Sequence, residues 1–515
     1  MKKGLLFISM FFVFSLNAQK LSFKIENQKD TTVHLIKYFG KKLYYADTAE
    51  MKNGRVEFDG KKQVPGILGV LLPGQKYFEF IYNNEDITLE TSLPDMVGSM
   101  KVIKSVENKV FIPYIRFIGK NKSEANQLGK QRSKLSEDDP NYKELTNKIE
   151  EINKKVKDYQ DDIVEGQQGR LVSKIVKMSM DVIVPDSPRD ENGNMIDSNF
   201  TFKYYRGHYW DNVDLTDDAL VNNPVFHNKL EYFFGDRMMV QHWDSIIAYA
   251  FPFCDQLNPD TKMFEYCVGW ITSTFGKSKI MGMDKVYLEM INRYYCTKNS
   301  KGESPAFWVS DDKFTDLCDN LSNKLRLTVG SIPPNLILQD TTDNHWQDFY
   351  SLPSEYTVLY FWDPECGHCK KTTPKLETLY QEKFKARNVE IYSVGKAVGD
   401  DFGKWKKFIR DNDLTFINVA VTDRIYKEAQ DSTQGQPRLM NLLRTTNLES
   451  LNYQGTYDIF STPKVFLLDK DKKIIAKSIS ISQLEEMIDR LQGKENLPKL
   501  FPPDPEEDAQ MQKKE

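Results

Sequence analysis

The sequence predicts a multidomain chain: an N-terminal antiparallel β-sandwich or barrel, an α-helical middle domain, and a C-terminal α/β domain. Three observations predict it. Short alternating apolar segments, punctuated by Gly, Asn, Asp and Pro, fill residues 20–105. Helical spacing of apolar residues takes over from about residue 106, and strand-like runs alternate with helical patterns over 331–492. A length of 515 residues fits about three domains at roughly 150 residues each.

The first 18 residues stand apart. Lys2 and Lys3 precede an apolar run from Leu5 to Leu16, and Asn17-Ala18-Gln19 supplies a small residue at a cut site. This order predicts a secretory signal over 1–18, cleaved after Ala18. The run is too short to span a hydrocarbon core of ~30 Å. No cysteine stands near the cut for a lipid anchor, and no later stretch approaches about 18 apolar residues. The expectation is a soluble, exported, periplasmic protein in a compartment where disulfides persist. A net charge of −4, with interleaved signs and no Lys/Arg run longer than three, argues against a nucleic-acid partner.

Residues 19–105 are expected to form the β-rich domain, from segments such as "KLSFKIEN", "TTVHLIKYF", "GRVEFDG" and "KYFEFIYN". His34 alternates with apolar neighbours inside one of them and reads as a packed or surface side chain. Residues 106–330 are expected to form the helical domain. Tyr142, Leu145, Ile149, Ile152, Val156, Tyr159 and Ile163 follow a 3,4 repeat, with Asp139-Pro140 ahead as N-cap and first helical residue. An upstream segment with Ala125, Leu128 and Leu135 is the expected antiparallel partner; a homodimer seam is the alternative. His208, His227 and His242 have no second histidine at helical ligand spacing, so no metal is predicted. Cys254, Cys267, Cys296 and Cys318 match no zinc template and leave two disulfides or four buried thiols open.

Residues 331–492 carry the chemistry. "TVLYFW" (357–362) reads as a strand covered on both faces, with a helix from about Cys366 to Phe384 behind it. Further strands are "VEIYSVG", "TFINVAV", "KVFLLD" and "IIAKSIS", and 482–492 is a closing helix. The polar, Pro-containing residues 493–515 are expected to be a disordered tail.

Between the first strand and its helix lies "DPECGHCKK". A helix N-terminus favours an anion, so Cys366 should carry thiolate near neutrality and act as the attacking sulfur. Cys369, one turn further in, should resolve the mixed disulfide. His368 adds positive charge that favours the thiolate and raises the reduction potential. A zinc site lacks further ligands, and covalent haem attachment would need His where Lys370 stands. A structural staple over so short a loop would stabilise little. Downstream, Thr462-Pro463 opens an apolar strand, where a cis bond would expose backbone groups to an extended partner chain.

With those residues in place, 331–492 resembles the thioredoxin superfamily, in particular the TlpA/ResA-like exported thiol–disulfide oxidoreductases. The matching positions are Phe361-Trp362, Cys366-Gly367-His368-Cys369, Lys370, Pro374, Thr462-Pro463 and the lead-in "VGSIPPNLIL". The resemblance covers about a third of the chain. It implies a thioredoxin-like fold, a redox-active dithiol without cofactor, a Thr462-Pro463 substrate loop, and protein thiols or disulfides and an electron-transfer partner as reactants. The Gly-His dipeptide is the one of protein disulfide isomerases, more oxidising than thioredoxin. The β-rich, helical and thioredoxin-like arrangement also resembles exported multidomain proteins whose accessory domains have no assigned role.

One departure stands out. Thioredoxins carry a buried acid two residues before the Trp, where this chain has Tyr360; proton transfer is then expected through water or Glu365. Reductase, isomerase and oxidase directions stay open. The rival reading is a non-catalytic envelope scaffold using the thioredoxin-like domain for docking.

Overall fold

The computed structural model describes residues 19–503 and residue 505. Residues 1–18, where the sequence predicts a secretory signal, and most of the tail beyond 503 lie outside the described residues. The chain separates into two compact units, residues 1–240 with 251–267, and residues 241–250 with 268–515.

The first unit holds eight strands: β1 (Lys20–Glu26), β2 (Thr31–Phe39), β3 (Lys42–Met51), β4 (Arg55–Asp59), β5 (Gly66–Leu72), β6 (Lys76–Tyr82), β7 (Ile87–Ser92) and β8 (Lys101–Lys104). They form two open four-stranded sheets, β4-β1-β7-β8 and β3-β2-β5-β6. No closed barrel forms among the described residues. The expected all-antiparallel pairing also fails, because β1 and β7 run parallel, with Leu21 opposite Ile87. Alternation still does its work: Leu21, Phe23 and Ile25 turn inward from β1. Phe23 then meets Phe78 and Phe80 of the other sheet at 5.8 and 5.1 Å between ring centres. At the β6 edge, the buried Asn108 side chain stands in for a missing strand. It accepts from Ile81 N–H at 2.9 Å and donates to the Ile81 carbonyl at 2.7 Å.

Asn108 begins a long helix, Asn108–Arg132, followed by Pro140–Gly166. The second helix starts as its sequence predicts, with the Asp139 carboxylate accepting from Asn141 N–H and Pro140 in the first turn. The two helices lie against each other, and Tyr159 of the stripe packs on Phe117 at 4.7 Å. The expected helical domain over 106–330 is not one body: its helices divide between the two units. Of the four middle cysteines, Cys296 and Cys318 form a disulfide, while Cys254 and Cys267 are buried thiols.

The second unit is built on a seven-stranded mixed sheet, β10-β9-β13-β12-β11-β14-β15. Its strands are β9 (Ile337–Asp340), β10 (Trp346–Asp348), β11 (Tyr356–Trp362), β12 (Val389–Gly395), β13 (Ile417–Ala420), β14 (Lys464–Leu468) and β15 (Ile474–Lys477). Central β11 pairs parallel with β12 and antiparallel with β14. Its residues are buried on both faces. Val358, Tyr360 and Trp362 pack with Cys369 and Leu376, whereas Leu359 and Phe361 pack with Tyr392, Tyr457 and Phe466. The insertion over 422–458 consists of short helices.

The last helix, Ile481–Leu491, opens with a capping box between Ser480 and Gln483. Beyond it, residues 493–503 do not behave as the expected loose tail. The buried Glu485 carboxylate accepts from Leu500 N–H at 2.8 Å and Phe501 N–H at 3.1 Å. Lys499 pairs with buried Asp489 at 2.8 Å. Those charge-assisted bonds hold a segment whose composition alone predicts disorder.

Candidate active site

The apolar run of β11 ends at Trp362, and the chain turns there. The Asp363 carboxylate accepts from Glu365 N–H at 2.7 Å, and its carbonyl accepts from Cys366 N–H at 3.1 Å. The turn delivers Cys366 to the N-cap of the helix Gly367–Leu379, in extended conformation (φ −69°, ψ 124°). An N-cap side chain faces the open N–H groups of the first turn. Here that side chain is a sulfur.

The two thiols sit in opposed environments. Cys366 is half-buried, and burial works against its ionisation. The N–H groups of Cys369 and His368 and the side chains of Thr462 and Cys369 favour the thiolate and hold Cys366 below the ordinary cysteine value. Cys369 is fully buried; burial and the neighbouring Cys366 push it up to about 12. The Cys366 S–H donates to the Thr462 carbonyl at 3.4 Å, and the Thr462–Pro463 peptide is cis. Residues 96 apart in sequence therefore meet at one sulfur.

The supporting residues occupy distinct places. Gly367 and His368 lie on the first turn, both exposed. Trp362 is buried, donates its indole N–H to Ser393 Oγ at 2.7 Å, and acts as core rather than rim. Glu365 does not reach beneath the sulfurs. It is exposed on the turn, with its carboxylate between Lys370 (3.7 Å) and Lys404 (3.5 Å). Tyr360, in the place of the thioredoxin acid, is buried and hydrogen-bonded to Thr373 Oγ1 at 2.8 Å. Thr373 lies one helical turn beyond Cys369. Only its i+4 spacing from that cysteine could have singled it out.

Comparison with known proteins agrees with this geometry. Residues 354–474 match the model of a thioredoxin-like family, and residues 20–111 match a domain of unknown function, DUF4369. The chain is 25% identical over 171 residues to the thiol-disulfide oxidoreductase ResA of Bacillus cereus, spanning 33% of this chain and 81% of that protein. A crystal structure of a domain of a possible thiol-disulfide isomerase from Cytophaga hutchinsonii is 31% identical. That match covers 32% of this chain and 95% of the domain, with a TM-score of 0.25. With a thioredoxin-like segment that holds the paired cysteines, the chain is a TlpA/ResA-like protein of the thioredoxin superfamily and a thiol–disulfide oxidoreductase.

Proposed function

We propose that the protein works outside the cytoplasm, in the periplasm, as a reductase- or isomerase-type oxidoreductase that exchanges disulfides with protein clients through Cys366 and Cys369. The observation that carries this reading is the asymmetry of the two sulfurs: one reachable and eased toward thiolate, the other sealed and held as thiol.

In the reductive direction the Cys366 thiolate attacks one sulfur of a client disulfide. A Cys366–client S–S bond forms, the client S–S bond breaks, and the departing client sulfur takes a proton from water. Cys369 then gives its proton to water, replacing the one taken up by the first client sulfur, and attacks the Cys366 sulfur. The intramolecular disulfide forms and the second client sulfur leaves, so two electrons pass from the dithiol to the client. The sequence of charges suits this order. Once Cys366 is bonded to the client its charge is gone, and one of the influences holding Cys369 protonated goes with it. A dithiol protein restores the reduced pair. Thr462 and Pro463 align the client strand beside Cys366.

A scaffold would need neither this asymmetry nor either thiol. The test is Cys369→Ser: the variant is expected to accumulate a client mixed disulfide through Cys366, visible on non-reducing gels. If neither it nor the parent protein exchanges with any protein disulfide, the scaffold reading stands instead.

A further inference from the structure

A cavity of about 320 Å³ lies within the second unit, lined from three stretches of chain: 275–288, 324–327 and 458–478. That volume stands at the small end of the range for ligand sites, roughly 300–1,000 Å³. Five lysines line it, Lys277, Lys279, Lys324, Lys464 and Lys477, against two carboxylates, Asp284 and Asp458. Two of the lysines are held in place. Lys477 pairs with Asp284 at 2.6 Å, and the Lys464 ammonium donates to the carbonyls of Tyr457 at 3.3 Å and Asp458 at 2.9 Å. Lys277, Lys279 and Lys324 have no carboxylate partner among the described residues. A lysine at a helix end is ordinary. Lys277 follows the helix Lys262–Gly276 and Lys324 lies in the last turn of Leu321–Arg326, where each offsets the helix dipole. That accounts for each lysine singly. It does not account for three stretches bringing their lysines to one half-enclosed space, where like charges repel and the potential is concentrated.

We propose that this cavity binds a small organic phosphate, a dianionic phosphate group on a compact apolar body. The site goes beyond the exchange reading and uses none of its steps. A phosphate carries close to two negative charges and three terminal acceptor oxygens, so ammonium groups from separate segments can donate to it at once. A carboxylate offers one charge and two oxygens. Lysine suits this task, because a point charge on a flexible stem closes on a tetrahedral anion without the planar fit that arginine needs. The Asp458 carboxylate opposes an anion on its own side and so directs the phosphate toward Lys277, Lys279 and Lys324. Phe275, Ile280 and Leu288 supply apolar lining. A bare phosphate would leave that lining wet, whereas an attached ring covers it and gains the transfer free energy.

The test is calorimetric titration of the full chain at low ionic strength and about pH 8, above the second phosphate pKa of about 6. Three probes separate the two parts of the ligand: phenyl phosphate, inorganic phosphate and phenol. Phenyl phosphate should bind with a Kd of about 0.1 mM, inorganic phosphate about tenfold more weakly, and phenol not measurably. The double variant Lys277→Gln with Lys324→Gln should weaken phenyl phosphate about tenfold or more. Lys279→Gln, at an exposed position that leaves folding untouched, should weaken it about threefold. Lys143→Gln with Lys154→Gln removes the same charge from the exposed face of Pro140–Gly166 and should change it less than about twofold. No binding of phenyl phosphate by the parent protein overturns the site, as does an equal loss in both double variants, which would mean attraction by net charge alone. Inorganic phosphate binding as tightly as phenyl phosphate overturns the apolar body, and phenol binding as tightly overturns the anion. Each of these results leaves the exchange reading intact.

Discussion

Two regions of this molecule each bring a pair of cysteines together and treat them in opposite ways. Cys254 and Cys267 lie within the helices Trp243–Asp255 and Lys262–Gly276 and are fully buried. Burial pushes Cys267 well above the ordinary thiol value, with Cys254 adding to the effect. Cys366 sits at the start of a helix, where first-turn N–H groups offset its partial burial and bring it below that value. The side chain is the same. Its position along the helix and its access to water decide whether it is a small core residue or a nucleophile.

The largest expected effect breaks that comparison if it is wrong. Cys366→Ser should lower the rate of disulfide exchange by about a thousandfold or more, because no other sulfur is placed to attack. Cys254→Ser and Cys267→Ser should leave the rate within about twofold, measured by turbidimetric insulin reduction. A comparable loss in either core variant would show that the helix-end environment is not what sets reactivity.

Alkylation gives a finer reading. In the reduced native protein, iodoacetamide at neutral pH should modify Cys366 alone, while Cys369, Cys254 and Cys267 react only after denaturation, as mass spectrometry of digests would show. The sign of the pH dependence follows from the direction of the shift. A lowered thiol value means the Cys366 rate stays high as pH falls below the ordinary cysteine range of about 8.5. With Cys369 near 12, only about one part in 100,000 is thiolate at about pH 7. A Cys366 profile with its midpoint above about 8.5 would contradict the N-cap argument.

The third cysteine pair separates stability from chemistry. Cys296 and Cys318 are joined across a separation of 22 residues, and a loop of that length corresponds to about 3 kcal/mol by the chain-entropy relation. The double variant Cys296→Ala with Cys318→Ala should lose about that much in denaturant unfolding while keeping the Cys366 alkylation rate. A lost alkylation rate at full stability would tie this disulfide to the redox site.

What was legible in the sequence is what local chemistry determines. The run 357–362 announced a strand buried on both faces, Asp139-Pro140 announced a helix start, and the pair at 366 and 369 announced a helix-end dithiol. Thr462-Pro463 could be paired with Cys366 only through resemblance, since nothing local brings together residues 96 apart. Long-range pairings left no trace. The parallel match of β1 with β7 joins strands far apart in the chain, Leu21 with Ile87, and alternation reads the same for either strand direction. The choice of Cys318 as the partner of Cys296 came from helix packing, which spacing does not encode. The segment 493–503 misled for a related reason: its order comes from two carboxylates of another element, Glu485 and Asp489, buried on the closing helix.

The smallest expected effect probes the place where this chain departs from thioredoxin. Tyr360 offers the buried sulfur region a neutral hydroxyl where an acid would stand, and that hydroxyl is bonded to Thr373 on the helix bearing Cys369. Tyr360→Phe removes the bond and leaves the Thr373 hydroxyl without that partner, at a cost of about 1 kcal/mol in stability. If Tyr360 only positions the helix, the Cys366 alkylation profile and the release of client from the mixed disulfide should both keep their pH dependence. A displaced pH profile for the release step alone, followed by single-turnover kinetics at several pH values, would instead mean that the hydroxyl pair handles the Cys369 proton. Tyr360→Asp sharpens the contrast. A carboxylate beside a thiol already pushed to about 12 should add a titrating group to the release step, and that step should then depend on pH where the parent protein does not.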